Sequence, residues 1–173
     1  PVGESGKPVS FDTYFPPLDK HFSISVAPLG RKGEWATIFF DITARKRLEE
    51  ERDRLYNHSV DMLCVAGFDG KLRQVNPAWT KTLGWDRDEL LQHPWIDFVH
   101  PDDEAATIKA GGALYEGRSV VGFENRYRCK DGSYRWLSWN SFPLMDVGLI
   151  FGVVRDVTAQ KLAEEALRRL NAD

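Results

Sequence analysis

Residues 70–84 read GKLRQVNPAWTKTLG, and within that stretch the chain changes from strand chemistry to helix chemistry. Just upstream, Met62 to Phe68 is rich in strand formers and closes on Asp69-Gly70, the dipeptide of a two-residue hairpin turn. Lys71 to Val75 is therefore expected to pair back as a second strand. Asn76-Pro77 then opens a helix. Asn is expected to cap it by accepting from the free amides of the first turn, and Pro at the first helical position has no N–H to leave unpaired. Gly84 supplies the helix stop.

Downstream, Arg87 to Gln92 after Asp86 and Asp102 to Tyr115 after His100-Pro101 read as further helices. Asp102, Asp103 and Glu104 sit in the first turn of the longer one, where negative charge suits the helix dipole. Val120 to Cys129, Tyr134 to Leu144 and Gly148 to Val157 read as strands, the first two joined by Lys130-Asp131-Gly132-Ser133, and a charged helix follows. Two strands, short helices, three strands and an exit helix predict an α+β domain with a five-stranded antiparallel sheet and short helices on one face.

An internal repeat extends this reading upstream. Pro28 to Glu50 aligns without a gap on Pro143 to Glu165 at an offset of 115, with identities that include Gly33/Gly148, Asp41/Asp156, Thr43/Thr158 and Lys46/Lys161. Nine of the 23 positions match, where unrelated chains of ordinary composition give roughly one or two. The first copy is expected to hold only the last three strands, Val9 to Phe15, His21 to Pro28 and Glu34 to Asp41. The expected organisation is 1–43 as the C-terminal half of an upstream copy, 44–57 as a linker helix, 58–158 as a complete domain and 159–173 as an exit helix. With no Met before Pro1, the chain is expected to be a piece of a longer polypeptide.

Composition narrows the function. The 173 residues are 42% hydrophobic and 28% charged, with 23 Lys+Arg against 26 Asp+Glu, an ordinary globular balance. A net charge of −3 offers no basic face for nucleic acid or anionic lipid. The longest apolar run, Val147 to Val154, is far short of the ~20 residues that span a bilayer. No signal-peptide layout opens the chain, so a cytoplasmic location is expected. Cys64 and Cys129 form no CxxC pair and read as small buried side chains. No GxSxG, GxGxxG, GxxxxGK or HExxH occurs, so the chain is expected to carry no catalysis.

These residues resemble the Per-Arnt-Sim (PAS) sensory domains. Residues 70–84 look like the family's second strand and first helix, and His100-Pro101-Asp102-Asp103 like its HPDD entry to the long helix. Arg126 to Trp136 (RYRCKDGSYRW) resembles its third-to-fourth strand hairpin, and Asp156-Val157-Thr158 its exit motif, the end of the PAC region. The resemblance spans 57–158, and Val9 to Thr43 is similar to the last three strands of another copy.

The family implies a sensory and dimerisation module, in a multidomain protein such as a sensor histidine kinase, that relays ligand or partner state through its exit helix to a downstream output domain. A ligand-free interaction spacer and the input module of a cyclic-dinucleotide enzyme are the alternatives. Flavin is not expected, because His93 to Val99 lacks the cysteine of light-sensing members. Haem is not expected, because Asp102 to Glu116 lacks histidine. A small metabolite in a core cavity remains.

Alternation along the strands places the candidate residues. Leu137, Trp139 and Ser141 align with Phe22, Ile24 and Val26, the more apolar set in both copies, and are expected to face the core. Asn125, Tyr127, Trp139 and Ser141 are the candidate cavity lining. Trp136 and Phe142 then face outward and need a cover, either the chain's own helix or a partner. Asp41, Thr43, Asp156 and Thr158 stand where a strand becomes an exit helix and are the candidate coupling residues. Leu48 and Leu55, with their repeat counterparts Ala163 and Leu170 and Ala166 between, give a short coiled-coil seam through which a homodimer is expected.

Overall fold

The computed structural model describes residues 7–30 and 33–171. Those parts of the expected 1–43 and 159–173 segments that fall at 1–6, 31–32 and 172–173 lie outside the described residues. The chain divides into two compact units, Pro1–Leu55 and Tyr56–Asp173.

The second unit holds strands β4 (Met62–Gly67), β5 (Leu72–Val75), β6 (Val120–Arg128), β7 (Tyr134–Leu144) and β8 (Leu149–Asp156) in one sheet of order β5-β4-β8-β7-β6. Every neighbouring pair is antiparallel. Helices α2 (Pro77–Leu83), α3 (Arg87–Gln92) and α4 (Glu104–Tyr115) lie between β5 and β6 in the chain, and α5 (Thr158–Leu170) follows β8. The expected α+β class and five-stranded antiparallel sheet are what the chain adopts. Met62 and Cys64 of β4, Leu137 of β7 and Val154 of β8 are buried with Trp79 and Leu83 of α2. Each fully buried side chain of that size contributes ~1.5–3 kcal/mol.

Three local expectations need correction. Asn76 does not cap α2: its Oδ1 accepts from Leu63 N (2.8 Å), and its Nδ2 donates to the carbonyls of Tyr56 (3.1 Å) and Asp61 (3.0 Å). It is fully buried, so those main-chain partners outweigh the capping role. The Asp69-Gly70 connection is longer than two residues. β4 and β5 meet at Ala66 and Leu72, with Gly67 N donating to Lys71 O, because the main chain of Phe68 turns away from β5, its N–H donating to the Gly148 carbonyl (3.3 Å). Finally, the long helix begins at Glu104 after a 3₁₀ turn at Pro101–Asp103. Asp102 N donates to His100 Nδ1, and the Asp103 carboxylate is turned to Arg126 rather than to the helix amides.

The first unit is a three-stranded antiparallel sheet, β1 (Val9–Phe15), β2 (Lys20–Pro28) and β3 (Trp35–Asp41), in that order. Helix α1 (Thr43–His58) follows it, and the boundary between the units falls within its last turn. The β2/β3 register, from Phe22↔Asp41 to Pro28↔Trp35, is the β7/β8 register from Leu137↔Asp156 to Pro143↔Ile150 displaced by the repeat offset. The β1/β2 pairs Phe11↔Ile24 and Thr13↔Phe22 likewise match Phe123↔Trp139 and Asn125↔Leu137 of β6/β7.

Candidate functional site: an apolar cavity and the exit junction

Between the inner sheet face and α4 the second unit holds a partly open cavity of about 80 Å³, several times the ~10–15 Å³ of such space that one water needs. Asn125, Tyr127, Trp139 and Ser141, the four residues expected there, all line it, and no charged side chain does. β6 brings Asn125 and Tyr127 by alternation, and β7 brings Trp139 and Ser141 the same way.

The polar groups of the lining fall into two sets. Trp139 Nε1 donates to Asn125 Oδ1 (2.7 Å), Asn125 Nδ2 to Thr107 Oγ1 (3.1 Å), and Thr107 Oγ1 to the Asp103 carbonyl (2.7 Å). This chain of bonds fixes Asn125 and satisfies both ends of its amide within the lining. By contrast, the hydroxyls of Tyr127 and Ser141 have no hydrogen-bond partner among the described residues. Burial pushes the Cys64 thiol up to about 12 and the Tyr127 hydroxyl well above its ordinary value, so both stay neutral. Cys64 also fixes its neighbour: a Cβ added at Gly152 would stand 2.7 Å from its Sγ. Among the described residues no cluster of His, Cys, Asp and Glu could hold a metal.

From α4 the contacts continue outward. Arg126 grips Asp103 through Nε (2.9 Å) and Nη2 (2.6 Å), which holds that carboxyl below its ordinary range. The Arg126 guanidinium lies 5.2 Å from the centre of the Trp136 ring, and the Lys161 ammonium of α5 lies 5.6 Å from it. Lys161 is also paired with Glu124. The cover expected over Trp136 thus comes from its own chain, whereas Phe142 stays exposed, paired across the strands with exposed Phe151. Leu48 and Leu55 on α1 and Ala166 and Leu170 on α5 stand exposed.

The junction is built alike in both units. Thr158 N and Oγ1 donate to Asp156 Oδ1 (2.9 and 2.5 Å), and Trp136 N donates to Thr158 Oγ1 (2.9 Å). In the first unit, Thr43 N and Oγ1 donate to Asp41 Oδ1 (3.0 and 2.6 Å), and His21 N donates to Thr43 Oγ1 (3.0 Å). Each threonine therefore ties the first turn of an exit helix to the adjacent strand, not only to its own aspartate. Residues missed in the sequence are Thr107 and the Asp103–Arg126 pair. The signal for Thr107 was its spacing, seven before Leu114, which puts the two on one face of α4.

Residues 73–148 match the family model described as PAS fold. The chain is similar to the PAS domain of an HTR-like protein from Haloarcula marismortui, at 26% identity over 65% of this chain and 97% of that one, with a TM-score of 0.54. It is also similar to a domain of a sensory box sensor histidine kinase/response regulator from Geobacter sulfurreducens, at 22% identity over 65% of this chain and 96% of that one, with a TM-score of 0.57. Among curated relatives, the blue light receptor lreB of Aspergillus flavus is 29% identical over 80 residues, 46% of this chain. The chain spans about a fifth or less of the length of the curated relatives it matches. No described helix is long and apolar enough to cross a membrane. The sheet order, the helical cover and the 73–148 match agree, and the second unit has the PAS fold.

Proposed function

We propose that this chain is a sensory module of a larger signalling protein, a sensor histidine kinase foremost, in which a small neutral molecule in the cavity biases the exit helix α5. The observation that carries this reading is the pair of unmatched hydroxyls, Tyr127 and Ser141, facing an otherwise apolar and uncharged cavity. A hydroxyl that borders a cavity takes its partner from whatever fills the cavity. A ligand with an apolar body and one or two hydrogen-bonding atoms satisfies both hydroxyls, whereas a carboxylate or phosphate meets no cation there.

The relay runs through contacts already described. Shifting Asn125 moves Thr107 and the Asp103 end of α4, Arg126 follows Asp103, and Trp136 lies between Arg126 and Lys161 of α5. Asp156 and Thr158 make α5 answer to β7. The chain supplies no catalytic group of its own in this reading, and the kinase output is drawn from the sensor histidine kinase/response regulator whose domain it resembles in structure. Exposed Leu48, Leu55, Ala166 and Leu170 are read as helix positions for self-pairing in the parent.

The test is a thermal-shift and native mass-spectrometry screen of small neutral and small anionic molecules against the chain and against S141L, whose side chain fills the cavity. Neutral compounds are expected to bind the parent chain and not S141L. Binding of anions with equal strength, or of nothing at millimolar concentration, would leave the ligand-free spacer as the better account.

A further inference from the structure

The inner face of the first unit matches, position for position, a face that the second unit buries. Phe39 aligns with Val154, yet Phe39 is 62% exposed and Val154 0%. Phe11, Phe15 and Trp35 lie on the same inner face of the first unit and are exposed too. In the second unit the equivalent surface is closed by two things. β4 pairs along the outer edge of β8, from Met62↔Val154 to Gly67↔Leu149, and α2–α4 cover the face. In the first unit β3 is an edge strand with no neighbour beyond it among the described residues.

An apolar edge of this kind is adhesive and unstable in water. The repeat says what shape its cover has. Because the register and the junction hydrogen bonds of β2/β3 copy those of β7/β8, the surface left open is the one shaped for a β4-like strand and a helical layer. In chain order those elements precede the strands they cover, as Met62–Tyr115 precede β6.

We infer that the first unit is the C-terminal half of a second domain of the same fold, and that its β3 edge and inner face are covered by chain lying N-terminal to β1 in the parent polypeptide. That chain is the counterpart of Met62–Ser119. The strand beside β3 is expected to carry a small residue opposite Thr37, since Thr37 occupies the position of Gly152, which lies against Cys64. This inference does not depend on any ligand in the second unit.

The test compares this 173-residue chain with the same chain lengthened at its N-terminus by the natural sequence of the parent. Amide exchange at Trp35–Asp41, read by mass spectrometry, is expected to slow about 100-fold or more in the longer chain, by the same factor at every protein concentration. F39D is expected to abolish that slowing and leave exchange in β7 and β8 unchanged. The inference is overturned if exchange at Trp35–Asp41 is the same in both chains, or if the parent has no such sequence. It is equally overturned if the slowing depends on protein concentration, because a second copy would then be the cover.

Discussion

β2/β3 and β7/β8 are the same pair of strands built twice, with one register and one Asp-x-Thr junction, and they differ in what lies on them. Leu137 and Val154 are sealed, whereas Phe22 is half-buried and Phe39 is exposed. Local sequence is enough to set strand pairing and the strand-to-helix turn, since both recur without the helical layer. A core and a cavity require the layer, and that layer comes from a distant stretch of chain. Sensing, in the account above, therefore belongs to the second unit, whereas the mechanical link to a helix belongs to both.

Core truncation separates the two most. Leu137→Ala is expected to cost ~2–5 kcal/mol in urea unfolding of the second unit, from lost transfer free energy and a residual cavity. Phe39→Ala in this chain is expected to stay within ~0.5 kcal/mol, as surface changes do. Similar losses from the two would mean that the first unit has a core of its own.

Next comes Gly152, where added bulk meets Cys64. Gly152→Ala is expected to cost ~1–3 kcal/mol, the usual penalty for overpacking. Adding Cys64→Ala should recover part of that loss, so the double variant is less destabilised than the sum of the singles. At the matching position of the first unit, Thr37 already carries a branched side chain without strain, because β3 has no strand beyond it. Thr37→Ala should leave stability nearly unchanged in the same assay.

The junctions should respond alike. Thr158→Ala and Thr43→Ala each remove one hydroxyl that bridges an aspartate and a strand amide, and each is expected to cost ~1 kcal/mol. Circular dichroism melts of the two single variants would show unequal losses if only one junction were structural.

The smallest contrast concerns acid. Arg126 holds Asp103 below the ordinary carboxylate value, and Lys20, with help from Thr43, does the same for Asp41. A carboxyl whose folded pKa is depressed adds stability above its unfolded pKa, near 4, and loses it as pH falls through the folded value. Both units should therefore weaken below about pH 4. Asp41 is exposed, so its share should disappear in 1 M salt, whereas the mostly buried Asp103 should keep its share until Asp103→Asn removes it.

Much of this arrangement was legible in the sequence. Alternation placed Leu137, Trp139 and Ser141 inward, and the offset of 115 aligned strand positions that prove to share one register. Asn76 was not legible as a bracket, because Asn before Pro is also the strongest of helix caps, and only tertiary contact decides between Leu63 N and the helix amides. The Asp103–Arg126 grip joins residues 23 positions apart with no local pattern to signal it. Trp136 read as an outward aromatic, which it is, but the cations that cover it sit on β6 and α5.

The most direct test of the proposed coupling fills the cavity with a probe that has no charge and no preference for sequence. Xenon under pressure enters apolar cavities of this kind, and ¹H–¹⁵N spectra report each amide. The account predicts shifts at Thr107, Asn125 and Ser141 that continue to Trp136, Thr158 and Lys161, with no change at Thr43 and Lys46, which belong to the other unit. Shifts that stop at β6 and β7, or that appear equally at Thr43 and Lys46, would contradict it.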